Sequence, residues 1–224
     1  GTYTNTWTAT DSCSNTSTVF TQVITIEDTT APAWTTAATA LNSTIQCSDA
    51  SAITAAQALF PSATDNCGTV TLSAKNAGAF VAGSCPQTGT YTNTWTATDS
   101  CSNTSTTFTQ VITIQDTTAP TWTTTVASLN ATIECSNTAA IAAAQAQFPV
   151  ATDNCDSDVT NISKTSGEFV ASSTCANAGT YTNTWTVTDA CNNTSAVFTQ
   201  VITIQDTTAP VIATTATSGN LGCN

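Results

Sequence analysis

The sequence predicts an all-β chain: tandem immunoglobulin-like β-sandwich domains, each with a short helical insert and stapled by disulfides. Three observations predict it. First, the line "GTYTNTWTATDSCSNTS" begins at Gly1, returns at Gly89, and returns with small edits at Gly179. A repeat of roughly 90 residues is too long for a solenoid turn and suits a small autonomous domain. Second, residues alternate strictly within that line: Tyr91, Asn93, Trp95 and Ala97 on one face, Thr92, Thr94, Thr96 and Thr98 on the other. A period of two is the mark of a half-buried strand. Third, the chain holds 10 cysteines among 224 residues, 55 of them Thr. That usage points to an oxidising compartment and a disulfide framework.

The repeat sets the cut points. Residues 1–27 and 89–115 differ only at Val19/Thr107 and Glu27/Gln115. Each copy runs into "DTTAP", at Asp28, Asp116 and Asp206. Proline drives the residue before it away from helix, so this is a natural joint. Cutting there gives complete repeats at 28–115 and 116–205. Residues 1–27 read as the closing part of a preceding repeat, and 206–224 as the start of a following one.

Within a repeat, "TYTNTWTAT" leads through the turn cluster "DSCSNTS" into "TFTQVITIQ", with Phe108, Ile112 and Ile114 on a common face. Together they predict a long antiparallel hairpin. "STIQC" (43–47), "TVTLSAK" (69–75) and "AFVAG" (79–83) predict further strands. "SDASAITAAQALFP" is Ala-rich, opened by Ser48 and Asp49 and closed by Pro61, and predicts a short helix; "SNTAAIAAAQAQFP" (136–149) matches it. About seven short segments separated by turns suit an immunoglobulin-like sandwich.

Each complete repeat carries four cysteines: 47, 67, 85 and 101, then 135, 155, 175 and 191. Three pairings are open. Cys85 and Cys101 flank the strand 91–99. That strand spans roughly 30 Å, against the ~7 Å within which a disulfide must bring its Cα atoms. In a sandwich, the loop holding Cys67 and the hairpin turn holding Cys101 lie at one end. The expected pairs are Cys67–Cys101 with Cys47–Cys85, and Cys155–Cys191 with Cys135–Cys175. Cys13 and Cys223 fall in the partial repeats.

Composition excludes several functions. The net charge is −12, and Lys75 and Lys164 are the only basic residues. Such a chain does not hold nucleic acid or an anionic membrane by electrostatics. With no His and no C-x-x-C pair there is no zinc spacing. No nucleophile–base arrangement meets the requirements of an active site, so no enzyme is expected. No signal peptide or membrane-spanning run is present.

"DTTAP", "IQC", "ATDNCG", "GSCP", "GTYTNTWTATDSCSNTS" and "QVITIQD" together resemble the four-cysteine variant of the HYR-like (hyalin repeat-like) domain. The resemblance runs in register over essentially the whole chain. Such repeats are similar to those of large Bacteroidota surface proteins, including gliding-motility adhesins exported by the type IX route. The resemblance implies an extracellular, cell-surface role as adhesin stalk or filament, with no catalytic residues. The partners it implies are neighbouring repeats, other copies of the filament, or surface glycans. The alternative is that the repeats are themselves weak multivalent binders of polysaccharide. Two departures stand out: the turn reads Ser-Asn (102–103) or Asn-Asn (192–193) where the family has Gly-Asn, and the Ala-rich insert is long.

Candidate sites follow. Calcium wants clustered oxygens, and Asp28, Asp116, Asp153, Asp156 and Asp158 offer them at the joints and in "TDNCDSD". No other cofactor is expected. The alternative reading of these residues is that Asp opens turns. "DTT" is similar to the Bacteroidota signal for O-glycosylation, which makes Thr29, Thr117 and Thr207 candidate acceptors. Lys75 and Lys164 recur at one place, but only the second has a nearby acid, Glu168, for an isopeptide bond. The expected role of both is a surface pair with a carboxylate. The Thr ladder reads as the solvent side of a strand.

Overall fold

The alternation makes the hairpin, and the hairpin organises everything else. The computed structural model describes residues 1–212. The chain divides into two units, Gly1–Gln115 and one beginning at Asp116. The first unit opens on a hairpin of β1 (Thr2–Trp7) and β2 (Phe20–Thr25). Its complete repeat contains β3 (Ala33–Trp34), β4 (Ser43–Gln46), α1 (Ala50–Gln57), β5 (Ala63–Thr64), β6 (Val70–Leu72), β7 (Asn76–Ala77), β8 (Val81–Ala82), β9 (Gly89–Trp95), β10 (Ala97–Asp99) and β11 (Phe108–Gln115). The second unit repeats the pattern as β12 (Thr121–Trp122), β13 (Ala131–Glu134), α2 (Thr138–Gln145), β14 (Ala151–Thr152), β15 (Ile162–Thr165), β16 (Val170–Ala171), β17 (Gly179–Val187) and β18 (Phe198–Gln205). Residues 213–224, with Cys223 and most of the expected following repeat, lie outside the described residues.

In the first repeat the main sheet runs β4-β11-β9-β7, and β8 also pairs with β9. β11 pairs antiparallel with β9, Phe108 opposite Trp95, and parallel with β4. Two small ladders, β10 with β6 and β3 with β5, complete the sandwich. The second repeat has the same main sheet, β13-β18-β17-β15 with β16 on β17, and the ladder β12 with β14. Between β7 and β8 the backbone touches β9: a Cβ on Gly78 would meet the Thr92 carbonyl oxygen at 2.2 Å. Only glycine fits such an approach.

The predicted core face is the buried one. Trp95, Ala97, Phe108, Ile112 and Ile114 are buried, and Thr92 and Thr109 on the opposite face are exposed. Trp95 meets Phe108 edge-on at 6.1 Å. Trp34 of β3 covers Phe108 at 5.2 Å and donates its indole N–H to the Thr106 carbonyl at 2.9 Å. Each such aromatic buries roughly 150–250 Å². The first hairpin, nearly identical in sequence, is bare: Trp7 is 51% exposed against 1% for Trp95, and Phe20 67% against 3% for Phe108. In residues 1–27 no helix or small ladder covers those side chains.

The helices form as expected. Alanine favours helix, and the Asp49 side chain caps α1 by accepting from the Ala52 N–H at 2.9 Å. Asn137 caps α2 in the same way, from Ala140. α1 lays Ala56 on Ile112 and Ile114, with Ile45, Ile53 and Tyr91 beside them.

The pattern did not disclose what fastens the helix. Asn93 and Gln110 lie opposite each other in the sheet and are wholly buried. Asn93 Nδ2 donates to Gln110 Oε1 and to Gln57 Oε1 at the helix end, both at 2.9 Å. Gln110 Nε2 donates to the Leu41 and Ala56 carbonyls at 2.9 and 3.0 Å. Lys75 Nζ donates to the Gln57 carbonyl at 2.6 Å and to Gln57 Oε1 at 3.1 Å. Asn183, Gln200, Gln145, Leu129, Ala144 and Lys164 repeat the arrangement in the second unit. The two lysines are therefore not surface partners of carboxylates. Both are half-buried at a helix C-terminus, where a cation meets the negative end of the helix dipole. Lys164 also stacks over Trp185 at 5.3 Å.

The hairpin turn needs a left-handed residue. Ser102 takes φ of 74° and Asn192 φ of 70°, a region costly for Ser and milder for Asn. Two expectations follow, each measured by chemical denaturation. Asn93→Ala strands the buried Gln110 Oε1 and takes one of two donors from Gln57 Oε1, lowering the stability of its repeat by about 1–3 kcal/mol. Ser102→Gly relieves the turn and raises stability by about 0.5–1 kcal/mol, with a smaller gain for Asn192→Gly.

Candidate metal centre

The motif Asp-x-Cys occurs twice in each complete repeat, at Asp65 and Asp99, then at Asp153 and Asp189. Each Asp closes a local turn: its Oδ1 accepts from the N–H of the cysteine two residues on, at 2.8 to 2.9 Å. Asp28 and Asp116, which open the repeats, form the same turn with the Thr30 and Thr118 N–H at 3.0 Å. In all six, Oδ1 is committed locally and the carboxylate is held in one orientation.

The fold then brings them together. The Asn103 side chain donates to Asp99 Oδ2 at 2.8 Å and to the Asp28 carbonyl at 3.1 Å, tying the repeat's first residue to its last hairpin turn. Asn193 does the same between Asp189 and Asp116. As a result one carboxylate oxygen each of Asp28, Asp65 and Asp99 lie within 4.8 Å of one another. Asp116, Asp153 and Asp189 form the equivalent group. Asp99, Asp116 and Asp189 are more than nine-tenths buried. The Oδ2 atoms of Asp28, Asp65 and Asp153 are shut off from solvent, each exposing less than 1 Å², and accept no hydrogen bond. Both lysines are engaged at the helix ends, so neither neutralises these groups.

Local electrostatics register the arrangement. Burial pushes the Asp99 carboxyl up, but the hydrogen bonds from Asn103 and Cys101 outweigh it and hold the group below the usual carboxylate range. The Cys67 thiol is pushed up by burial, and further by the charges of Asp28 and Asp65, by Cys101, and by Asp99. An all-carboxylate set of this kind suits a hard cation and no soft one.

Of the five aspartates expected to bind metal, Asp28, Asp116 and Asp153 are in these groups, whereas Asp156 and Asp158 are not. Asp156 is buried and spends its oxygens on the Ala190 and Asp158 N–H groups, and Asp158 is exposed. Asp65, Asp99 and Asp189 complete the groups instead. The signal that identifies them is the Asp-x-Cys recurrence, which marks acids on both sides of one end of the sandwich. A further grouping, Glu134 with Cys135 and Asp206, is a clasp. Glu134 accepts from the Thr207 N–H at 3.0 Å and its hydroxyl at 2.9 Å, and these bonds hold its carboxyl below the usual range.

Among the cysteines, Cys47, Cys85, Cys155 and Cys191 are disulfide-bonded. Cys13, Cys67, Cys101, Cys135 and Cys175 are thiols in this structure. By repeat position, Cys67 and Cys101 correspond to Cys155 and Cys191, and Cys135 and Cys175 to Cys47 and Cys85. The two disulfide-bonded positions of each repeat are thus the two that are thiols in the other. Of the candidate glycosylation sites, Thr29, Thr117 and Thr207 are exposed, and the Thr207 hydroxyl is engaged by Glu134.

Among known proteins, the HYR-like domain with 4 cysteines matches residues 123–204, the bulk of the second repeat and less than half of the chain. A second family, described as LRR adjacent, matches residues 1–33 and 83–127. No curated protein matches the chain. A solved structure of mouse clustered PcdhgC3 EC1-3 is similar at 12% identity, covering 92% of this chain and 77% of that one. Its TM-score of 0.29 carries no argument. Among the described residues no helix is long and apolar enough to cross a membrane.

We propose that all eight cysteines of the complete repeats pair as the sequence suggests, and non-reducing peptide mapping of secreted protein checks it. Peptides joining Cys67 to Cys101 and Cys135 to Cys175 are expected, and one joining Cys47 to Cys67 contradicts the assignment. Each bond closes a loop of about 35–40 residues and adds roughly 3–4 kcal/mol, lost on reduction.

Proposed function

We propose that this chain is a run of structural repeats in an extracellular adhesin, serving as a stalk or filament that holds a terminal domain away from its anchor. One observation carries the reading. The two complete repeats reproduce each other's buried amide network, helix cap, core and aspartate group at corresponding positions. What the repeats share is what makes a domain stable, and they present no catalytic constellation. The likeness of the second repeat to HYR-like domains supports the same conclusion. The finer reading, a gliding-motility or attachment adhesin of Bacteroidota at the cell surface, rests on that likeness alone. So does O-glycosylation at Thr29, Thr117 and Thr207, which an intact mass above the sequence mass would reveal.

The competing reading, weak multivalent binding to polysaccharide, calls for exposed aromatic faces on which sugars stack. Among the described residues of the two complete repeats no Trp or Tyr is exposed, whereas Phe60, Phe80 and Phe148 are, so the stalk reading rests on the repeated buried framework and not on a lack of aromatic surface. Electron microscopy of arrays of increasing repeat number tests it. Contour length is expected to grow linearly, by about 30–40 Å per repeat. A length that saturates, or a glycan-array signal from a two-repeat protein, counts against it.

A further inference from the structure

We infer that residues 1–27 form an acceptor face for the front segment of one more four-cysteine repeat, a polypeptide patterned like residues 28–88 that enters at Gly1. In the hairpin of β1 and β2, Tyr3, Trp7, Phe20, Ile24 and Ile26 lie on one face and are exposed. An apolar patch of that kind on a folded chain marks an interaction surface. What fits it is shown twice within the same molecule. The corresponding residues of β9 and β11, and of β17 and β18, are covered by one construction. β4 adds parallel to β11 along Ile112–Gln115, and β13 adds to β18 in the corresponding register. α1 sets Ala56 on Ile112 and Ile114, and α2 sets Ala144 on Ile202 and Ile204. An aromatic ring then stands on each ring of the hairpin: Trp34 on Phe108, Phe60 on Trp95 and Phe80 on Tyr91, at 5.2, 5.9 and 5.0 Å. Trp122, Phe148 and Phe169 do the same in the second unit. Every covering residue lies between the joint and the hairpin.

Three further features of the hairpin answer to that cover. Asn5 donates to Gln22 Oε1 at 3.3 Å in the open. Their counterparts Asn93 and Gln110 are buried and also donate to Gln57, Leu41 and Ala56 of the covering segment. The first hairpin thus presents amide donors placed for a helix end. Gly1 has nothing within 4 Å, whereas a Cβ on Gly89 or Gly179 would meet the Val81 or Val170 carbonyl oxygen at 2.2 Å. The cover therefore needs a glycine where the bare hairpin does not. Cys13 is an exposed thiol at the position of Cys101, whose expected partner is Cys67 of the covering segment. Among the described residues a second copy of the chain supplies no free cover, because its residues 28–88 and 116–178 are folded against their own hairpins. In both complete repeats the covering segment runs straight into the glycine that opens the hairpin, Gly89 or Gly179. Continuity with Gly1 is the corresponding place for the partner here. The inference holds whether or not the array is a stalk.

Fusing a copy of residues 28–88 ahead of Gly1 of the full chain tests the inference, read by acrylamide quenching of tryptophan fluorescence and by non-reducing peptide mapping. The parent chain is expected to show a readily quenched component that Trp7→Phe removes. In the oxidised fusion that component should be lost, and Cys13 should be joined to the grafted copy of Cys67. Gly1→Val should leave quenching in the parent unchanged, since the position is open. In the fusion it should bring the quenched component back, because the new side chain meets the grafted backbone. A fusion in which Trp7 stays as quenchable as in the parent, or in which Cys13 joins another cysteine, overturns the inference. So does a parent chain that self-associates in sedimentation and shields Trp7, which makes a second copy the occupant. So does a Gly1→Val fusion that shields Trp7 as well as the unsubstituted one, which is the signature of unspecific apolar contact.

Discussion

A pair of amide side chains buried face to face in a β-sheet is the interaction on which the rest of each repeat depends. Asn93 and Gln110 stand opposite each other, excluded from water, and their hydrogen bonds reach both into the sheet and out to the helix. Without them α1 would lie on the sheet through Ala56, Ile53 and their aliphatic neighbours alone. Alanine contacts of that kind are weakly directional. The amides make them specific, because each donor is useful only when Gln57, Leu41 and Ala56 present their oxygens in one place. Lys75 completes the same arrangement from the strand side.

At the other end of the sandwich, charge takes the part that amides take beneath the helix. Asp28, Asp65 and Asp99 approach from the joint, a loop and the hairpin turn, each with one oxygen already fixed by backbone. Cys67 and Cys101 stand within the same motifs, two residues from their aspartates. Turn, cysteine and carboxylate group are thus one construction. Together the two ends account for a domain with a small apolar core: specificity comes from directed hydrogen bonds as much as from area buried.

Much of this was legible in the residues. The alternation in "TYTNTWTAT" gave the strand and its inward face, and the Ala-rich stretch between Asp49 and Pro61 gave the helix, because both rest on local periodicity. The buried amides were not legible. Asn93 and Gln110 fall on core positions of the period-2 pattern, but a polar residue there has no reading until its partners, far away in sequence, are placed. Lys75 failed for the same reason: its acceptor is a helix end 18 residues away, not one of the many carboxylates. The aspartates were half legible. "TDNCDSD" drew attention to Asp156 and Asp158 by local density, whereas the fold groups acids by their common place beside cysteines. Density along the chain is a poor guide to clustering in space when each acid is fixed by its own turn.

We propose that each complete repeat unfolds as an independent structural unit, as a stalk requires. Single-molecule stretching of the oxidised chain tests it most directly. The account predicts two discrete unfolding events, one for each complete repeat, with equal gains in contour length that grow on reduction as the disulfide loops are released. One event for the whole chain, or a smooth extension without discrete steps, would contradict it.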